Sequence, residues 1–85
     1  MARWHREQVT ADDIHAGDYI QAPNGLRARV NRRSFSERCT EPNVRLHWQY
    51  PDDFSVNALH RGQASARLFR PGDPVTRWRK PYEEA

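Results

Sequence analysis

Apolar and polar residues alternate with a period of two in three stretches of the chain. Leu26-Arg27-Ala28-Arg29-Val30 puts Leu26, Ala28 and Val30 on one side and Arg27 and Arg29 on the other. Val44-Arg45-Leu46-His47-Trp48-Gln49-Tyr50 alternates without a break, with Arg45, His47 and Gln49 opposite the apolar set. Ala64-Ser65-Ala66-Arg67-Leu68-Phe69-Arg70 groups Ala64, Ala66 and Leu68 as an inner set and leaves Ser65, Arg67 and Phe69 outside. Extended backbone points successive side chains to opposite sides, so each stretch predicts a strand with one buried face. Shorter strand signals lie at Tyr19-Ile20-Gln21-Ala22 and beyond residue 75. Turn residues separate them at Pro23-Asn24-Gly25, Pro51-Asp52-Asp53, His60-Arg61-Gly62-Gln63 and Pro71-Gly72-Asp73-Pro74. Residues 34–43 read as a longer loop. Residues 54–59 fit neither period and read as a strand or a short helix. Upstream, Thr10-Ala11-Asp12-Asp13 fits an N-capping pattern and Gly17 a helix stop, which predicts one or two helical turns over residues 11–16.

Short strands at intervals of roughly 10 residues indicate an all-β barrel or sandwich, and at this size a barrel. Ile14-x-x-Gly17-Asp18-Tyr19-Ile20, followed by Gly25 and Val30, resembles the opening of small SH3-like barrels. In those, a Gly-Asp-x-hydrophobic turn starts the first strand. The resemblance covers residues 14–70. It implies a binding module rather than a chemistry. In general character the chain is similar to short proteins of GC-rich bacteria and their phages. The predicted fold is all-β, a small SH3-like barrel of about five short strands behind a short N-terminal helical turn. Its domain spans residues 11–76, with an N-terminal arm over 1–10 and a tail over 77–85 that is basic and aromatic, then acidic.

Composition changes this picture in two ways. At 85 residues there is space for one domain, which excludes enzymes that need separate cofactor and substrate domains. Leu, Ile, Val and Phe together number 14 of 85, few for a folded chain. A net charge of only +3 and three each of Trp, Tyr and Phe offset that, so the core should be built on aromatics. Thirteen of the fourteen basic residues are Arg, and they cluster to +4 over residues 26–35 and +5 over residues 61–80. Guanidinium groups suit phosphate and flat rings, although codon bias in a GC-rich genome gives the same excess. One cysteine, Cys39, leaves no internal disulfide and predicts a reducing, cytoplasmic setting. A run of 18 apolar residues and a signal-peptide core are both lacking, so no membrane partner is predicted.

Catalytic chemistry finds little support. Cys39 lies between Arg38 and Thr40 with no Cys–His signature nearby. His5, His15, His47 and His60 are not spaced as metal ligands. Asp52-Asp53 and Glu83-Glu84 are adjacent pairs whose carboxyl groups diverge, and the four glycines form no phosphate loop. The chain is therefore predicted to be no enzyme and to hold no metal or cofactor. What remains is a sheet surface bearing Arg27, Arg29, Arg45, His47, Arg67 and Phe69, joined by Tyr19. Such a surface serves either as solvated exterior or as a nucleic-acid interface, with arginines on phosphates and rings on bases. The alternative is a protein-interaction module that engages a host protein. Arg77-Trp78-Arg79-Lys80, with Tyr82, reads as a nucleic-acid arm or as a segment laying Trp78 over an open barrel end.

Overall fold

The computed structural model describes residues 4–52, 56 and 58–79. It contains six strands: β1 (His5–Thr10), β2 (Tyr19–Gln21), β3 (Arg27–Ser34), β4 (Val44–Gln49), β5 (Ala64–Phe69) and β6 (Pro74–Arg79). They form one antiparallel sheet in the order β1-β6-β2-β3-β4-β5. The only helical element among the described residues is a 3-10 turn over Ala11–Asp13, shorter than the sequence predicts. It forms where the capping pattern stands: the Thr10 amide and hydroxyl both donate to the Asp13 carboxylate, at 3.4 and 3.0 Å. Beyond it, Gly17 takes φ +98, a conformation that suits glycine, and its amide donates to the Val30 carbonyl at 2.7 Å. The Asn24-Gly25 turn joins β2 to β3 with Gly25 at φ +87.

Residues 5–10, read from sequence as an arm, pair along their whole length with β6 as β1. Their sequence, His-Arg-Glu-Gln-Val-Thr, has no apolar alternation to reveal a strand. Within the stretch 54–59, residues 54, 55 and 57 lie outside the described residues, as does the tail from Lys80 onward. Val56 is buried, and residues 58–62 are turns.

The core lies on one face of the sheet. It contains Ile20, Ala28, Val30, Val44, Leu46, Trp48 and Val75 from the strands, with Ala11, Ile14, Ala22, Tyr50 and Val56 from the connections. The sheet curls so that β5 approaches β6: Phe69 on β5 and Val75 on β6 border one cleft with Ile20 and Ala22. The β5–β6 turn is tied to the 3-10 turn by Ala11 and Asp12 amides donating to the Asp73 and Pro71 carbonyls, at 2.8 and 3.0 Å. The sheet is not closed, because β1 and β5 remain its edges.

One strand faces opposite to its prediction. Val44 pairs directly with Phe69, and Arg45 with Leu68. Direct partners share a face, so Phe69 turns to the core while Leu68, Ala66 and Ala64 turn outward. Leu68 is 40% exposed and Phe69 is half-buried against the core. The larger ring takes the apolar side, and an edge strand tolerates two exposed alanines at little cost.

Candidate nucleic-acid interface

The register fixes which side chains share the outer face, away from the core. From β1 these are Arg6 and Gln8, from β6 Thr76 and Trp78, and from β2 Tyr19 and Gln21. From β3 they are Arg27, Arg29, Arg32 and Ser34, and from β4 Arg45, His47 and Gln49. A bulge in β3 decides part of this set. Val30 pairs with Trp48 and Arg32 with His47, leaving Asn31 as the extra residue. The bulge keeps Arg29 and Arg32 on one face and sends Arg33 to the other.

The two faces differ sharply in charge. Arg6, Arg27, Arg29, Arg32 and Arg45 lie outside, and no strand position of that face is acidic. The strand arginines held in ion pairs, Arg33, Arg77 and Arg79, all belong to the other face. Arg33 binds the Asp12 carboxylate at 2.8 Å and donates to the Asp12 and Ile14 carbonyls at 2.7 and 2.9 Å. Arg77 and Arg79 share the Glu7 carboxylate at 2.6 and 3.1 Å. The hydrogen bond from Arg77, then that from Arg79, holds the Glu7 carboxyl below the usual range.

Aromatic rings interleave with the outer arginines. Trp4, just before β1, lies edge-on to Tyr19 with centroids 5.0 Å apart and planes at 72°. The Arg27 guanidinium stands 3.8 Å from the Trp4 centroid and 5.8 Å from that of Trp78. Arg6 approaches Trp78 from another side at 5.6 Å. The Trp78 indole N–H is shielded and has no acceptor among the described residues. Further along the face, His47 Nε2 lies 3.3 Å from Arg32 Nη2 and 3.0 Å from the Ser34 hydroxyl. Burial, and after it Arg32 and Arg45, depress the His47 pKa below the ordinary histidine value.

Of the six residues singled out from sequence, Arg27, Arg29, Arg45 and His47 share this outer face. Arg67 and Phe69 do not, since both point to the core side, where the Arg67 guanidinium lies 5.6 Å from the Phe69 ring at the rim. Trp4, Arg6 and Arg32 are additions that the alternation did not offer. Trp78 lies on the sheet face between Arg6 and Arg27 rather than over an open end. The usable signal was Trp4-x-Arg6 and Thr76-x-Trp78, each with the period of a strand. Cys39 is half-buried in the β3–β4 connection, and no cluster of metal-ligating side chains occurs among the described residues. Among the described residues no helix is long and apolar enough to cross a membrane. Comparison with family models, with curated proteins and with solved structures gives no match.

Proposed function

We propose that the protein is a non-enzymatic module that binds single-stranded nucleic acid on the outer face of its sheet. The observation that carries the reading is the Arg27 guanidinium stacked on Trp4 within a face of five arginines and no carboxylate. Arginines without carboxylate partners are available to phosphates, and each contact displaces condensed counterions. Rings set among them offer stacking surfaces, which reach bases only when those bases are unstacked from a duplex. We read the curled sheet as an open barrel of the SH3-like kind, with β6 returning to β2 and β1 added beyond it.

The test is titration with single- and double-stranded oligonucleotides of mixed sequence at low and moderate salt. Binding at low salt is expected, tighter for the single strand, and Trp78→Ala should weaken it by about 1–3 kcal/mol. Absence of binding at low salt refutes the reading. A second reading, a host-protein interaction module, draws on the unpaired edge of β5, which exposes Leu68 beside Ala64 and Ala66. A partner strand added there would leave oligonucleotides unbound and shield the β5 amides from hydrogen exchange.

A further inference from the structure

Away from the aromatic rings, the outer face carries a compact polar block. Pairing sets Arg32 opposite His47 and Ser34 opposite Arg45, so four side chains lie together on two adjacent strands. A guanidinium only donates, so with Arg32 at 3.3 Å the His47 Nε2 is an acceptor. The imidazole is then neutral and carries its proton on Nδ1. On the other flank β5 offers small side chains, with Ala66 directly opposite His47 and Ala64 opposite Gln49. A cleft bordered by Asn31, Arg32, His47, Ala64 and Ala66 results.

The charged groups facing His47 are Arg32, with Arg29 beyond it, from β3 and Arg45 from its own strand. The residues of β5 on this face, Ala64, Ala66 and Leu68, contribute no charge. Among the described residues no carboxylate pairs with these arginines. Arg32 and the neutral acceptor of His47 border the cleft, and Arg45 lies on the same face two positions along β4, so a cation flanks each side of an open acceptor.

We propose that this block is a phosphate seat in which His47 takes up a proton as the phosphate binds. The proposal rests on the reading of the outer face as a nucleic-acid surface. Arg32 turns from Nε2 to the phosphate oxygens, for which its planar fork is suited, and Arg45 approaches from the other side. Nε2 then faces an anion, gains a proton, and donates to a phosphate oxygen or to Ser34. Without the anion, that proton meets two arginines in a partly desolvated position. The chemistry is the same for a free dianion and for a backbone phosphate.

The test is an NMR pH titration of the His47 imidazole in the full chain. It is run in chloride, in sulfate at matched ionic strength, and with a single-stranded oligonucleotide. Sulfate serves as a tetrahedral dianion that does not titrate near neutral pH. The His47 pKa is expected to rise by about one unit with either anion. A rise with sulfate alone keeps the seat, assigns it to free anions and counts against the nucleic-acid reading. Oligonucleotide binding with His47 unmoved overturns the seat and leaves that reading intact. No rise with either overturns the seat. A second measurement compares oligonucleotide affinity at about pH 8 and about pH 5.5. The protein should gain roughly 3- to 10-fold at the lower pH, and His47→Gln should lose that dependence. An equal gain in the variant contradicts the proposal.

Discussion

Truncating Phe69 and Leu68 separately to alanine tests the orientation of β5, on which the composition of the outer face depends. The two are neighbours on one strand and must face opposite ways. Phe69 is half-buried, packs against the core and pairs with Val44, which is 3% exposed. Removing a ring that keeps roughly 100 Å² from water should cost about 2–2.5 kcal/mol at ~25 cal/mol per Å². Leu68 is 40% exposed and lies opposite Arg45, outside the core. Its truncation should cost about 1 kcal/mol or less, well short of the ~2–5 kcal/mol of a buried leucine. Urea denaturation followed by circular dichroism measures both, provided the m-value stays constant between variants. If Leu68→Ala is the more damaging, β5 is turned over and Arg67 joins the outer face, and the assignment of inner and outer sets on this strand is refuted.

Three further outcomes follow from the same geometry. Arg33→Met should cost about 1–2 kcal/mol in urea denaturation, because three hydrogen bonds that pin the 3-10 turn are lost at a partly exposed site; an unchanged midpoint contradicts that pinning role. The Glu7 carboxyl is held below its unfolded value, so its contribution to stability is present above the ordinary carboxylate pKa and disappears as pH falls through the folded value. Glu7→Gln should therefore flatten the acid limb of the stability profile measured by thermal unfolding, and an identical limb in both proteins would count against the Arg77–Glu7–Arg79 cluster. Cys39→Ser should leave the thermal midpoint within about 2 °C of the parent, since its thiol lies half-buried in a polar connection with no partner among the described residues; a larger drop would show a packed thiol.

How legible the fold was depended on where apolar side chains sit. β4, with a buried residue at every second position, was read correctly with its core set of Val44, Leu46 and Trp48. The first part of β3 was equally clear, but its extension through Asn31-Arg32-Arg33-Ser34 has no apolar residue and contains a bulge. Alternation cannot announce an extra residue, so Arg32 and Arg33 were not separable from sequence. On β5 the alternation was present but ambiguous, because Leu68 and Phe69 lie on opposite phases and only the partner strand decides between them. β1 was missed because it is an edge strand, polar on both sides apart from Val9. Its absence from the reading hid Trp4 and Arg6, and with them the aromatic half of the candidate site. Arg27, Arg29, Arg45 and His47 were legible because each lies between apolar neighbours in a well-patterned stretch.

Outer-face arginines that contact phosphates reveal themselves in the salt dependence of single-strand binding. Five outer arginines, each neutralising one phosphate, give a log–log slope of affinity against salt of roughly −3.5. Arg27→Ala should reduce the magnitude of that slope by about 0.7, whereas Arg67→Ala, on the opposite side of the sheet, should leave it unchanged. A slope near zero, or one that responds to Arg67 and not to Arg27, would contradict that contact.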